Sequence, residues 1–159
     1  MNNLLASRAI TTNHPGPYAL LIKLDTTRSI TVGRLGDISF NEGWHCYVGS
    51  ALNGLKGRVA RHLRSDKKVR WHIDYLLEQA PPVAVVWGLS KQRLECRVAE
   101  GLSAQGLVSV RGFGANDCRC PSHLFYRPDY SELRSQVVES FRLMGLTPKA
   151  FDVEGQPTE

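Results

Sequence analysis

The sequence contains no apolar run that approaches the length of a membrane span. Its first residues show neither a basic segment followed by an apolar stretch nor a small-residue cleavage site. It contains no internal repeat and no low-complexity segment. Cysteine is scarce, with four residues in a chain of 159, and in a reducing compartment these would be thiols or metal ligands rather than a disulfide framework. These absences predict a cytoplasmic protein that does not associate with a membrane.

The composition is that of a globular protein with an excess of positive charge. Hydrophobic residues make up 42% of the chain and charged residues 22%, near the average for folded proteins, and the length fits one domain plus a tail. Lysine and arginine outnumber aspartate and glutamate by 20 to 15, which gives a formal net charge of +5 and a pI near 9.2. This balance favours polyanionic partners, although many basic proteins have none.

Several β-strands are predicted from apolar runs and from alternation of polar and apolar residues. Three lie at residues 18–24, 29–32 and 45–49, with a loop at 33–43, and a fourth lies at 83–89. The short connections suggest an antiparallel meander of the first three strands. The strand order stays open, because short apolar runs do not determine pairing.

Four helices are predicted from apolar residues at helical spacing. The first follows the Asn-Gly pair at 53–54, and the second begins near Trp71 and must end at the prolines 81–82. The third covers residues 94–107, and the last begins at Asp129 with a capping pattern.

These elements predict an α/β fold, strictly α+β, in which a small central antiparallel β-sheet is flanked by helices. The main domain is expected at residues 13–128, followed at 129–159 by a C-terminal helix and a flexible tail. The densest positive charge lies on the first helix and just after it. It is either a solvated patch or a surface that binds nucleic-acid phosphates, and its members are Lys56, Arg61, Arg64, Lys67, Lys68 and Arg70.

Two tyrosine-containing strand motifs precede this basic helix and a later helix that carries glutamates. The motifs are Gly16-Pro17-Tyr18 and Tyr47-Val48-Gly49, the basic helix carries Arg58 and His62, and the later helix contains Glu95-Cys96-Arg97-Val98-Ala99-Glu100. This ordered set resembles the GIY-YIG nuclease superfamily. Two longer segments, residues 67–76 and 112–126, resemble its small stand-alone Uri-type endonuclease branch.

The resemblance implies a metal-dependent DNA endonuclease, acting in DNA repair or processing, with catalytic residues Tyr18, Tyr47, Arg58, His62 and Glu100. It makes Glu100 the ligand of Mg²⁺ or Mn²⁺, and it makes Tyr47, or Tyr18 assisted by Tyr47, the base that activates water. Physical chemistry agrees in part, because residues four apart on a helix project from the same side and a guanidinium offers a planar fork to a phosphate. A free tyrosine has a pKa near 10, so a tyrosine base would need that pKa lowered.

Each of these assignments has a structural alternative. Tyrosines on apolar strands are usually core rings, Arg58 and His62 fit a solvated basic face, and a helical glutamate such as Glu100 most often forms a surface ion pair. The whole chain could be a non-catalytic nucleic-acid-binding module of the same fold. The resemblance is also incomplete, because many members end the domain with a functional asparagine where this chain has Ser122-His123.

The cysteines offer a second site. Cys118, Cys120 and His123 lie close together in the sequence, and with Cys96 as a fourth donor they provide ligands for a structural Zn²⁺. The Cys-x-Cys spacing is tighter than the usual two to four intervening residues. The alternatives are a pair of buried thiols beside the active site or a Cys-rich interaction surface.

Overall fold

A six-stranded antiparallel sheet forms the centre of the protein, seen in a computed structural model that describes residues 10–153. The strands are β1 (Gly16–Leu24), β2 (Arg28–Thr31), β3 (Asp37–Phe40), β4 (Gly43–Ala51), β5 (Pro82–Trp87), β6 (Val108–Ser109), β7 (Leu124–Arg127) and β8 (Lys149–Asp152). The helices are α1 (Leu55–Leu63), α2 (His72–Leu77), α3 (Glu95–Ala104) and α4 (Tyr130–Leu143), with one 3₁₀ turn at Gly33–Leu35. The predicted fold class, a central antiparallel sheet flanked by helices with a helix near the C-terminus, is confirmed.

Strand β1 lies in the middle of the sheet, whose order is β6-β7-β4-β1-β5-β8. It pairs antiparallel with β4 on one side and β5 on the other, with Leu20 opposite Tyr47 and Tyr18 opposite Gly49. A strand that is covered on both faces requires a nearly continuous apolar run. This requirement explains the nearly continuous apolar sequence of β1, which only Lys23 interrupts.

The expected meander of three consecutive strands is not what the chain forms. Strand β2 pairs with β3 in a separate two-stranded hairpin, and β4 takes the place beside β1. Strand β3 lies within the segment that was expected to be a loop. It was not predicted as a strand because three of its four residues are at least partly exposed and its apolar signal is weak. The edge strands β6 and β8 and the short inner strand β7, two to four residues each, were also not predicted.

Each face of the sheet has its own hydrophobic core. Tyr18, Leu20 and Ile22 of β1 face the core shared with α1 and α2, whereas Ala19 and Leu21 face the core shared with α3 and α4. Side chains alternate between the faces of a strand, so one central strand supplies both cores. Each large apolar side chain that is fully buried in this way contributes about 1.5–3 kcal/mol.

The segment after residue 128 belongs to the same sheet and core as the rest of the protein. The Asp129 carboxylate accepts a hydrogen bond from the backbone N–H of Glu132 at 2.9 Å, which confirms the predicted helix start. Leu133, Val137 and Phe141 of α4 are fully buried, and β8 adds an edge strand beside β5. The predicted flexible tail lies, from residue 154 onward, outside the described residues. Within residues 10–153, no helix has the length and apolar character needed to cross a bilayer.

Candidate functional site

An open cavity of about 460 Å³ lies along the second half of β4. Its walls come from β4, from α1, from the segments that lead into α2 and α3, and from the loop between β6 and β7. Its charged side chains are three arginines and two carboxylates. These charged residues are Arg58, Arg70, Arg93, Glu95 and Asp117, and the ring of Tyr47 lines the cavity with them.

The sheet register places the two motif tyrosines on the same face. Tyr18 lies opposite Gly49, and Leu20, two residues further along β1, lies opposite Tyr47. The absence of a side chain at Gly49 is needed here, because a Cβ atom built at this position would lie 2.5 Å from the Tyr18 hydroxyl oxygen. The glycine of the second motif therefore makes room for the tyrosine of the first.

Tyr18 and His62 form a buried pair that lies outside the cavity lining. Each is 1% exposed, and the Tyr18 hydroxyl oxygen lies 2.6 Å from His62 Nε2. Burial raises the pKa of Tyr18 to about 12 and lowers the pKa of His62 to about 3, so both are neutral at pH 7. Neutral Tyr18 donates to Nε2, and the ring proton then lies on Nδ1, which finds no partner within residues 10–153. The structure brings both predicted residues together, but in the core.

Tyr47, in contrast, is partly exposed and lines the cavity. Burial of its ring raises the pKa of Tyr47 well above the usual value, and the nearby Tyr18 adds to this. In the protein alone, the phenol therefore keeps its proton at neutral pH. Tyr47 is then suited to donate a hydrogen bond rather than to act as the base that the resemblance implies.

Arg58 is the predicted residue that the structure presents most directly to the cavity. One guanidinium nitrogen donates to the carbonyl oxygen of Ser50 at 3.0 Å, and the group lies 4.7 Å from the centre of the Trp71 ring. These two contacts fix its position on α1. Because a guanidinium has five N–H donors, most remain available to an anion.

Arg61, predicted as part of the phosphate-binding surface, is instead committed to the interior. Its guanidinium forms two hydrogen bonds of 3.0 Å with the fully buried carboxylate of Asp74, donates to the carbonyl of Lys68, and lies 4.2 Å from the Trp71 ring. The predicted phosphate-binding role of Arg61 is therefore corrected, because Asp74 neutralises its charge. Lys67 is also engaged, since it donates to carbonyl oxygens of His62 and Arg64 at the end of α1.

The other members of the predicted basic surface differ in position. Arg64 and Lys68 are exposed and Lys56 is partly exposed, and none of the three lines the cavity. Arg70 does line it, and its backbone N–H donates to Asp74 at 2.9 Å. Of the six predicted phosphate-binding cations, Arg70 is therefore the one that the structure places at the cavity.

Glu95, rather than the predicted Glu100, supplies the α3 carboxylate of the cavity. Glu95 is 6% exposed and lines the cavity, where Arg93 pairs with it at 3.2 Å, whereas Glu100 is exposed and does not line it. The reason is helical geometry, because residues five apart on a helix are about 140° apart around its axis. Glu100 lies one turn beyond Cys96, on the side of the cysteines.

His72 holds the loop between β6 and β7 against α2. Its Nδ1 accepts a hydrogen bond from the backbone N–H of Gly114 at 2.9 Å, so the neutral ring carries its proton on Nε2. Asn116 Nδ2 lies 3.2 Å from this Nε2, a contact between two donors rather than a hydrogen bond. Burial lowers the pKa of His72, which favours this neutral form. Both His72 and Asn116 line the cavity. A loop-holding role for His72 was one of two readings that the sequence allowed, the other being contact with substrate, but its partners were not visible because they lie about forty positions away.

The predicted zinc ligands converge next to the cavity. The sulfurs of Cys96, Cys118 and Cys120 and a ring nitrogen of His123 all lie within 4.8 Å of one another. His123 is 4% exposed, whereas the three cysteines are partly exposed. Burial and the neighbouring thiols raise the pKa of Cys96 and Cys120. The fourth cysteine, Cys46, is fully buried on β4, away from this group.

The fold and the cavity define an α+β protein with an open cavity lined by three arginines and two carboxylates. Sequence comparison matches residues 17–146 to the family described as Domain of unknown function DUF123, and the chain belongs to that family. No curated protein and no solved structure matches the chain. The family description names no activity, so the function has to be argued from the site.

Proposed function

We propose that this chain is a metal-dependent endonuclease that hydrolyses phosphodiester bonds of DNA, in DNA repair or processing in the cytoplasm. The observation that carries the proposal is the convergence on one open cavity of Tyr47, Arg58 and Glu95 with two further arginines. Hydrolysis of a phosphodiester needs positive charge around the phosphate, an oxygen donor for a cation, and groups that orient water. The cavity offers each of these.

The arginines are the groups that would bind the DNA backbone. Arg58 is held by Ser50 and Trp71, so its remaining donors are already oriented before a phosphate arrives. Arg70 and Arg93 line the same cavity and are exposed, and the Arg93 guanidinium lies 3.2 Å from Glu95 and 3.7 Å from Asp117, so it reaches a phosphate only when a cation takes over these carboxylates. A cavity with three guanidinium groups attracts a phosphate and stabilises the charge that develops on it.

The oxygen donors of the cavity fit Mg²⁺ or Mn²⁺. Glu95 and Asp117 provide carboxylates and Asn116 provides an amide oxygen, and Mg²⁺ is commonly held by one or two carboxylates together with water and substrate phosphate. We assign Glu95 as the principal ligand in place of Glu100. When bound, the cation would supply charge stabilisation and would lower the pKa of water.

The two tyrosines have different roles in this proposal. The Tyr47 phenol lines the cavity and donates a hydrogen bond to water or to a phosphate oxygen. Tyr18 and His62 are positioning residues, because their hydrogen bond ties β1 to α1 beneath the strand that carries Tyr47. Neither of them touches substrate.

A second function, a nucleic-acid-binding module without activity, is favoured by two observations. The Glu95 carboxylate already has a partner in Arg93, 3.2 Å away, and the raised pKa of Tyr47 keeps this phenol protonated in the protein alone, so it is not a base there. The same arginines would then bind a DNA backbone without cutting it. Cleavage assays separate the two functions.

The decisive experiment compares Glu95→Gln with Glu100→Gln in cleavage of supercoiled plasmid and branched DNA, with Mg²⁺, Mn²⁺ or EDTA. Removing one group that stabilises charge typically lowers a rate about 100-fold to 1000-fold, and we expect this loss for Glu95→Gln. Glu100→Gln should cleave at nearly the wild-type rate. Glu139→Gln, an exposed substitution on α4, serves as the matched control.

Binding is measured in parallel by fluorescence anisotropy, so that loss of cutting is distinguished from loss of DNA. Glu95→Gln should retain binding, and its melting temperature should stay close to that of the wild type. Loss of cleavage in Glu100→Gln but not in Glu95→Gln would overturn the assignment of the ligand. Wild-type protein that binds DNA and never nicks it with either metal would establish the binding module instead.

A further inference from the structure

We propose that Cys96, Cys118, Cys120 and His123 bind a structural Zn²⁺ beside the cavity. Cys96 lies on α3, Cys118 and Cys120 lie in the loop between β6 and β7, and His123 is the residue directly before β7. Their donor atoms all lie within 4.8 Å of one another. Residues from separate segments thus meet at a distance that a single ion can bridge.

The distances agree with those of a tetrahedral site. With Zn–S near 2.3 Å and Zn–N near 2.0–2.1 Å, a tetrahedral ion holds sulfur and nitrogen about 3.5 Å apart. Nε2 of His123 lies 3.4 Å from the sulfur of Cys118 and 3.7 Å from the sulfur of Cys96. Two of the three sulfurs therefore already lie at zinc-site distances from the ring nitrogen, and the third lies within 4.8 Å of the other donors.

The histidine is also held in the tautomer that a metal requires. His123 Nδ1 lies 3.1 Å from the carbonyl oxygen of Val48, which can only accept, so Nδ1 carries the proton. The lone pair of Nε2 then faces the sulfurs. Metal-bound histidines commonly donate their second ring N–H to a carbonyl in this way.

Three thiolates and one imidazole form a closed, soft donor set that is typical of structural zinc sites. Binding converts three thiols to thiolates and releases three protons, and the charge of the ion compensates the three thiolates that form. The four ligands fill the tetrahedron, so the ion has no open position for substrate. Its role is to hold structure rather than to react.

The position of the cluster indicates what the ion would hold. Cys96 follows directly after Glu95, which lines the cavity. Asn116 and Asp117 line it too, and they belong to the loop between β6 and β7 that carries Cys118 and Cys120. Val48, whose carbonyl oxygen contacts His123, follows Tyr47 on β4. One ion would therefore fix the loop wall of the cavity to both α3 and β4. This inference goes beyond the proposed function, because zinc would bind whether or not the chain cuts DNA.

The first test measures metal in the wild-type chain without any DNA. Protein purified under reducing conditions without chelator is analysed by mass spectrometry for zinc and iron, and it is also unfolded, stripped and refolded with Co²⁺. We expect about one zinc per chain, together with the sulfur-to-cobalt charge-transfer and d–d bands of a tetrahedral thiolate site. These measurements need no variant, so they remain decisive even if a variant fails to fold.

The second test compares Cys118→Ser and Cys120→Ser with Cys46→Ala, which removes the one cysteine outside the cluster. Both serine variants should lose the retained zinc and the cobalt bands, whereas Cys46→Ala should keep them. Retention of zinc by the serine variants would overturn the ligand set. So would wild-type protein that refolds with zinc present yet holds none, contains iron instead, or forms a disulfide within the cluster.

Discussion

Replacing Asp74 with asparagine is expected to destabilise the protein by about 3 kcal/mol. The Asp74 carboxylate is fully buried and accepts four hydrogen bonds, two from Arg61 at 3.0 Å and one each from the backbone N–H groups of Arg70 and Trp71 at 2.9 and 3.0 Å. Asparagine keeps the shape, but it removes the charge and turns one acceptor into a donor that faces other donors. Breaking a buried ion pair costs about 3–5 kcal/mol, and we expect the lower end because the Arg61 side chain is 16% exposed.

Thermal and urea unfolding measure this effect. For a protein of this size, 1 kcal/mol shifts the melting temperature by about 2–4 °C, so a decrease of about 6–12 °C is expected. Glu78→Gln is the matched control, because Glu78 is an exposed acid at the end of the same helix and should change stability by less than about 0.5 kcal/mol. A melting temperature of Asp74→Asn equal to that of the control would refute the reasoning.

The pH dependence of the same variant tests whether the charge of Asp74 is the cause. Burial by itself would raise the pKa of Asp74, but the Arg61 side chain and the two backbone N–H groups outweigh it and hold that pKa below the usual value. The stabilisation is therefore present above the unfolded pKa of about 3.9 and is lost as the pH falls through the folded value. The difference between wild type and Asp74→Asn should be constant from about pH 5 to 7 and should shrink below about pH 4. A constant difference at every pH would exclude the charge as its source.

Three further predictions concern buried residues of the sheet and of α1. Tyr18→Phe should cost about 1–3 kcal/mol, because it leaves His62 Nε2 buried without a partner. Gly49→Ala should destabilise both the wild type and Tyr18→Phe, because the new Cβ would lie 2.5 Å from the Tyr18 hydroxyl oxygen and 2.6 Å from Cζ, a ring carbon that phenylalanine keeps; a Gly49→Ala protein as stable as the wild type in urea unfolding would contradict this contact. Burial lowers the pKa of His62 to about 3 and the pKa of His45 to about 4. As the pH falls, the unfolded chain therefore binds protons at these rings before the folded chain does. The free energy of unfolding should decrease below about pH 6.5, by up to about 1.4 kcal/mol per pH unit for each ring. A free energy of unfolding that is unchanged between pH 7 and 5 would show that these rings are not held neutral.

The fold class could be predicted because its main elements carry strong local signals. Strand β1 is a continuous apolar run, and α1 and α4 repeat apolar residues at helical spacing. Strands β3 and β6 are short and largely exposed, so their residues do not reveal them. The pairing of β1 with β4 past an intervening hairpin depends on long-range packing, which periodicity does not encode.

Site residues could be predicted where a single motif position identified them. They could not be predicted where the role of a side chain depends on a partner far away in the sequence. Arg58 and Tyr47 were identified and do line the cavity. The commitment of Arg61 depends on Asp74, thirteen positions later, and no pattern linked them. Spacing alone shows that Glu95 and Glu100 lie on different sides of a helix. Which of the two faces the cavity depends on how α3 packs on the sheet, and the sequence does not encode this locally.

The cavity draws on both faces of the central sheet, and this arrangement has a consequence for assembly. Arg58 belongs to a helix packed on one face, whereas Glu95 begins a helix packed on the other. A partly folded chain with only one face covered would lack one wall of the cavity. The cavity is therefore complete only when α1 and α3 are both packed on the sheet.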